Sequence, residues 1–137
     1  ICQSELLQRT DDLVSEAIAT SGDLAEQLDY ILGILATRNS TASKLERELI
    51  AYLVGSLSTN LSQGAGQLAF MNSYFYRLYS NSQSQLKPGI TPEFCAEMTV
   101  GMANAITLNW LHDDNYNTQE RFSQLRDFIV SSMLAGS

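Results

Sequence analysis

Residues 91–112 read TPEFCAEMTVGMANAITLNWLH, and this stretch decides the fold class. It opens with strong helix-start chemistry. Thr91 can cap, Pro92 fits the first helical position because its missing N–H does no harm there, and Glu93 faces the positive end of the helix dipole. The helix is predicted to run from Pro92 to about His112. At 100° per residue its apolar side chains point in nearly every direction, which is typical of a helix covered on more than one side.

The rest of the chain shows helical periodicity broken by clusters of Gly, Asn, Ser and Pro. Five further helices are predicted: over Gln3 to Thr20, from the Asp23 cap to Asn39-Ser40-Thr41, from the Ser43 cap to about Asn60, over the aromatic segment from Phe70 to Tyr79, and from Asn117 to about Ala135. Three of these starts, at Asp23, Ser43 and Asn117, have the capping-box spacing, with Glu26, Glu46 and Glu120 three residues after the cap. Gly64 and Gly66 are interpreted as a helix break. We expect residues 1–137 to form one all-α domain of about six helices in an antiparallel helical bundle.

Composition limits the classes of function. The chain has 137 residues and a net charge of −7, from 15 acidic and 8 basic side chains. Phosphate affinity comes mainly from clustered Lys and Arg, so this chain by itself is not expected to bind DNA. Cys2 and Cys95 match no metal or redox spacing and are interpreted as free thiols. No apolar run reaches the roughly 18 residues of a membrane span, so we expect a soluble, cytoplasmic protein with no membrane partner.

Charge is unevenly distributed along the chain. Acidic residues dominate positions 1–30, whereas five of the bases lie between Arg38 and Ile90. An anionic ligand near the middle helices would explain this pattern, and solvated helix faces explain it equally well.

The two C-terminal helices carry more apolar surface than one core covers. The sixth helix, like the fifth, is apolar over more than half of its circumference, and a second copy of the chain is the simplest partner. Gly101 and Ala105 lie four residues apart and would allow close approach of another backbone, either in a dimer or inside the monomer. We expect a homodimer with a four-helix interface. The predicted interface residues are Gly101, Ala105, Leu108, Phe122, Leu125, Ile129 and Met133.

The aromatic fourth helix suggests a ligand cavity. Its aromatic side chains could line a site for an apolar or aromatic small molecule, and methionines of the fifth helix could form the opposite wall. The predicted ligand-binding residues are Tyr52, Met71, Tyr74, Phe75, Tyr79, Met98, Met102 and Asn109. The alternative is a plain core, which aromatic residues at helical spacing usually form.

Catalytic signals are weak. His112 is followed by Asp113 and Asp114, but no second His or Cys cluster completes a metal site, and a His at a helix C-terminus favours the dipole. The chain has no nucleophile elbow and no glycine-rich phosphate loop after a strand. We therefore expect no enzyme, no metal and no cofactor, and a helical enzyme using these three residues remains the third hypothesis.

The order of elements resembles the C-terminal regulatory domain of the TetR family of transcriptional repressors. The resemblance covers nearly all of the chain and is carried by GITPEF at 89–94, by VGMANA at 100–105 leading to NWL at 109–111, and by the closing helix from Phe122 to Leu134. It implies that the last two helices form the dimer interface and that the first helix connects to a helix-turn-helix domain. That N-terminal domain is missing from this sequence, so DNA would be bound only through it.

The leading hypothesis from the sequence is therefore an effector-sensing, homodimerising domain. A small molecule would shift the dimer between conformations that space the DNA-binding heads differently. The alternative is an all-α dimeric scaffold module without a small-molecule site.

Overall fold

Six α-helices form most of residues 3–20 and 22–136, the part of the chain that the computed structural model describes. They are α1 (Gln3–Thr20), α2 (Leu24–Ser40), α3 (Lys44–Thr59), α4 (Leu61–Asn81), α5 (Pro92–His112) and α6 (Thr118–Met133). These residues contain no β-strand, only an isolated bridge between Leu86 and Leu134. The predicted all-α class with six helices is confirmed. Within the same residues, no helix combines the length and apolar content needed to cross a bilayer.

The predicted helix starts are confirmed at the level of individual hydrogen bonds. Asp23 and Ser43 each begin a complete capping box, in which the N–H of Glu26 donates to Asp23 over 2.9 Å and the N–H of Glu46 donates to Ser43 over 3.1 Å. At the start of α5 the side chain of Thr91 accepts a hydrogen bond from the N–H of Phe94, and at the start of α6 the side chain of Asn117 accepts one from the N–H of Glu120. These caps satisfy backbone donors that the first turn of a helix leaves free.

The helix break predicted at Gly64 and Gly66 is wrong, since α4 is continuous from Leu61. Gly64 is buried where α4 crosses α3, and a Cβ at this position would lie 2.6 Å from the carbonyl oxygen of Ser56. The glycine therefore permits a close approach of two helix backbones. Gly66 has no such neighbour within 4 Å and lies on the exposed side of the helix.

The buried apolar residues form two separate clusters. The main cluster contains buried residues of α1, α2, α4, α5 and α6. Among them are the fully buried Val14, Ile31 and Ile129. The smaller cluster joins Leu6 of α1 to Ile50 of α3 and Trp110 of α5. The interior of the chain is therefore divided, and the candidate site lies between the two parts.

α3 is the most shallowly buried helix of the fold. Over its whole described length only Ile50 and Ser56 are buried, and it packs mainly on α4 with a smaller contact to α5. The inner side of α3 covers the smaller cluster with the half-buried Leu53 and Val54.

Candidate functional site

Two adjoining cavities lie between the apolar clusters. One has a volume of about 90 Å³ and the other of about 70 Å³. Together they are of the order of an engineered apolar cavity of roughly 150 Å³ that holds benzene. They are much smaller than the several hundred Å³ typical of drug-sized ligands. The site can therefore take a small molecule of about one ring or a short chain.

The walls of the two cavities come from different parts of the core. The first cavity is covered by α3 through Ile50, Leu53 and Leu57, and the second reaches Phe75 and Phe122 in the main cluster. Most of these walls are apolar, so they favour the apolar part of a ligand.

Six residues line both cavities, and five of them are polar. We call these five the polar belt: Thr10 of α1, Arg38 and Asn39 of α2, and Asn104 and Thr107 of α5. Met71 of α4 is the sixth shared residue. The polar belt therefore consists of residues from three helices, α1, α2 and α5, where the two cavities adjoin.

The members of the polar belt differ in how their hydrogen-bonding groups are used. Thr10 and Thr107 donate to carbonyl oxygens of their own helices, over 3.3 and 3.0 Å. The side-chain amides of Asn39 and Asn104 make no hydrogen bond to another described residue. Since buried polar groups in proteins are usually hydrogen-bonded, these two amides are suited to a polar group placed in the cavities.

Arg38 is the charged member of the belt. Its Nε atom is buried and has no hydrogen-bond partner among the described residues. Burial lowers the pKa of this guanidinium below its ordinary value, and the nearby Arg9 acts in the same direction, whereas Glu46 opposes both. The carboxylate of Glu46 is itself engaged by the capping box of α3 and lies 3.9 Å from Arg9.

Arg38 also borders an outer groove between α1 and α2. This groove has a volume of about 390 Å³, is wide open to solvent, and includes Asp12 and Glu16 on its α1 side and Thr37 on α2. Arg38 is the one residue that lines the groove and both interior cavities. The guanidinium therefore lies where a route from solvent would reach the interior.

The residues predicted for the ligand site divide into an inner and an outer group. Met71 lines both cavities and Phe75 the second one. Tyr79 is fully buried in the main cluster, where its hydroxyl lies 2.6 Å from Oγ1 of Thr99. Tyr74 is half-buried and packs against the same cluster. Desolvation raises the pKa of the Tyr79 hydroxyl, which is therefore a neutral core group.

Three of the predicted ligand residues lie outside the site. Tyr52 is 56% exposed, and Met98 and Asn109 are exposed on α5. None of them lines either interior cavity. These residues lie on the solvent side of their helices, away from the cavities. Met102 is half-buried against the main cluster and lines neither cavity.

The predicted interface residues of α6 are buried within the chain. Phe122, Leu125, Ile129 and Met133 are at most 6% exposed. They are buried because α6 packs against both α2 and α5 within one chain, whereas Phe128 of the same helix is 57% exposed. They offer no surface to a second copy in this arrangement.

The predicted interface residues of α5 have a different environment. Gly101, Ala105 and Leu108 are exposed, and they continue a line that starts at Phe94 and Met98. These five residues, here called the α5 stripe, follow one another at spacings of four, three, four and three, which is the spacing of a coiled-coil seam. An apolar line of this kind is unusual on a helix that faces water.

His112, Asp113 and Asp114 lie at the end of α5, where Arg47 makes several contacts. Arg47 of α3 donates to the carbonyl oxygens of Trp110 and Leu111 over 2.8 and 3.1 Å, and its guanidinium lies 4.5 Å from the centre of the Trp110 ring. Asp114 is 3.4 Å from the same guanidinium. Across the described residues no group of three or more His, Cys, Asp or Glu side chains is placed to hold a metal ion.

Sequence reasoning missed the polar belt. Its residues come from three helices, and the sequence marks Arg38 only as one of the bases of the middle helices and Asn104 only as part of VGMANA at 100–105. One signal was present: Arg38 lies three residues after the buried Leu35, so the two positions share one side of α2. A charged side chain on the buried side of a helix indicates that an ion-pair partner or a bound ligand compensates its charge.

Comparison of the chain with protein-family models, with curated proteins and with solved structures found no match.

Proposed function

We propose that the chain is the effector-binding, self-associating regulatory domain of a TetR-like transcriptional regulator. A small molecule binds in the two cavities across the polar belt, and DNA is bound through an N-terminal helix-turn-helix domain outside this sequence. The observation that carries the proposal is the divided core, in which polar groups without partners meet apolar walls from all six helices. A core that served stability alone would gain by closing this space.

The arrangement links ligand binding to the shape of the domain. A ligand in the first cavity contacts α3, the most shallowly buried helix, and at the same time contacts α1 and α5. Under the proposed resemblance α1 leads to the DNA-binding domain and α5 lies at the dimer interface. A ligand that binds one arrangement of these helices better than another would shift the population between them.

Self-association is assigned in this proposal to the α5 stripe. Two copies packed along Phe94, Met98, Gly101, Ala105 and Leu108 would cover the most continuous exposed apolar line of the C-terminal half. The same stripe also supports the alternative function, a dimeric scaffold without a ligand. Only the cavities distinguish the two functions.

Benzene binding tests the proposed function. The 137-residue chain is unfolded thermally with and without benzene, alongside the variant Thr107→Leu, which fills space in both cavities. A ligand at a hundredfold excess over its Kd stabilises the folded state by about 2.7 kcal/mol, which corresponds to a rise of roughly 8–10 °C in Tm for a chain of this size. We expect the wild type to show such a rise and Thr107→Leu to show none.

The matched control for this test is Ala65→Leu, which adds a similar side chain on the exposed side of α4. It should keep the response of the wild type. If benzene leaves the Tm of the wild type unchanged while Thr107→Leu folds with higher stability, the cavities are only packing defects and the scaffold function is favoured.

A further inference from the structure

Arg38 differs from every other arginine of the chain. The remaining five all have partners: Arg9 with Glu46, Arg47 with Asp114, Arg77 with Asp11, Arg126 with Asp29, and Arg121 with Gln124. Arg38 forms no hydrogen bond or ion pair with another residue of the described ranges 3–20 and 22–136. It is also the arginine that lines both interior cavities. The Nε atom of Arg38 is buried without a hydrogen-bond partner among the described residues, and a buried polar group in this state is unfavourable unless a ligand or water satisfies it.

The position of Arg38 in α2 explains only part of this arrangement. It lies in the last turn of the helix, where a cation interacts favourably with the dipole. That interaction is equally available to a side chain directed into solvent, as lysines and arginines at helix ends usually are. The helix dipole therefore does not explain why Nε of Arg38 is buried beside the two cavities.

The surroundings of Arg38 indicate a carboxylate rather than a larger or more highly charged anion. A planar carboxylate matches the fork of a guanidinium, and the amides of Asn39 and Asn104 lie on the same belt to donate further hydrogen bonds. The remaining walls are mostly apolar, including Leu53, Leu57 and Phe75. A phosphate group would leave these walls unused, and Asp12 and Glu16 at the outer groove would repel a dianion more strongly than a monoanion.

We infer that the cavities bind a small monocarboxylic acid, with its carboxylate on Arg38 and its apolar body between α3 and the main core cluster. The inference rests on the proposed function, because it names the chemical class of the effector for the same site. The volume of the cavities limits the apolar body to about one six-membered ring or a chain of about five carbons.

The test compares acids with their neutral amides on the unmodified chain. Hexanoate and hexanamide, and benzoate and benzamide, are titrated at pH 7 by calorimetry, where both acids are ionised and both amides are neutral. Charge-assisted hydrogen bonds are stronger than neutral ones, so we expect each acid to bind about ten- to a hundredfold more tightly than its amide. This comparison needs no variant and is independent of any folding defect.

Variants then locate the selectivity. Arg38→Gln should reduce the affinity for hexanoate to that for hexanamide and leave hexanamide binding unchanged. Arg38→Lys keeps the charge but loses the fork, so it should retain part of the preference. Arg9→Gln is the matched control, because Arg9 lies on the same side of the fold but lines neither interior cavity. It should bind hexanoate within about threefold of the wild type.

Each outcome decides a different point. Equal affinity for acid and amide in the wild type overturns the carboxylate assignment and leaves the proposed ligand site standing. A preference for the acid that survives in Arg38→Gln overturns the role of Arg38, whether or not Arg9→Gln retains it. No binding of either acids or amides, together with no response to benzene, overturns both the inference and the proposed function.

Discussion

Replacing Gly64 by alanine should destabilise the chain, although alanine is the better helix former. Within a helix the change contributes about 1 kcal/mol in favour of folding. The new Cβ, however, would lie 2.6 Å from the carbonyl oxygen of Ser56 and 2.9 Å from Cα of Leu57. Both are backbone atoms of α3 that no rotamer change can move. Overpacking of this kind costs about 1–3 kcal/mol, and the rigid neighbours place it at or above the upper end. We therefore expect a net loss of about 2 kcal/mol.

The matched variant is Gly66→Ala, two residues further along the same helix. Nothing lies within 4 Å of a Cβ at that position. It should therefore raise stability by about 0.5–1 kcal/mol. Thermal unfolding followed by circular dichroism separates the two, with Tm falling by about 6–10 °C for Gly64→Ala and rising by a few degrees for Gly66→Ala. If both variants gain stability, the close crossing of α3 and α4 is refuted, and with it the wall that Leu57 provides to the first cavity.

Three further predictions concern contacts that hold the site in place. Arg47→Ala removes two hydrogen bonds to the end of α5 and the contact with the Trp110 ring, so urea unfolding should show a loss of about 2 kcal/mol, and Arg47→Lys should recover only part of it. Tyr79→Phe leaves the buried hydroxyl of Thr99 without its 2.6 Å partner and should cost about 1–3 kcal/mol, whereas the double variant with Thr99→Val should be closer to the wild type. Hydrogen bonds from its capping partner hold the pKa of Glu46 below its ordinary value. Ionised Glu46 therefore stabilises the folded state fully above about pH 4.3, the pKa of an unfolded glutamate. This contribution is lost as the pH falls through the lower pKa that Glu46 has in the folded state. The urea midpoint of Glu46→Gln should show a smaller decrease over this range than that of the wild type.

Local chemistry was predictable from the sequence. The four caps at Asp23, Ser43, Thr91 and Asn117 were identified from residue types alone and are present as hydrogen bonds. Such caps depend on residues three positions apart, and a sequence displays that spacing directly.

Gly64 shows where local information is insufficient. A glycine can mark the end of a helix or the close approach of a second helix, and the letter is the same in both cases. The distinction depends on Ser56 and Leu57, which reach it only through the packing of α3 on α4.

The apolar residues of α5 and of α6 have different surroundings in the fold. A second copy was expected to cover apolar residues of α6; within the chain α2 and α5 cover Phe122 and Ile129, and Phe128 stays 57% exposed. On α5 the helical wheel is consistent with the structure, since Met98 and Leu108 remain exposed while Val100 and Ile106 are buried. A wheel shows how much of a helix is apolar, and it does not show how many neighbours the fold supplies.

A ligand site was predicted from aromatic residues, whereas the residues shared by the two cavities are mostly polar. Tyr79 is a core residue, and the groups without partners are Arg38, Asn39 and Asn104. These residues are 65 or more positions apart between α2 and α5, so only the tertiary fold brings them to one cavity.

The methionine methyl groups offer the most direct test of the central claim that the divided core is a ligand site. The chain has four methionines: Met71 lines both cavities, Met98 is exposed on the α5 stripe, and Met102 and Met133 pack in or against the main cluster. In a ¹³C-methyl NMR titration with benzene, we expect a saturable change in the chemical shift of the Met71 methyl group and no change in that of Met98. A Met71 signal that does not move, or a shift confined to Met98, would contradict this claim.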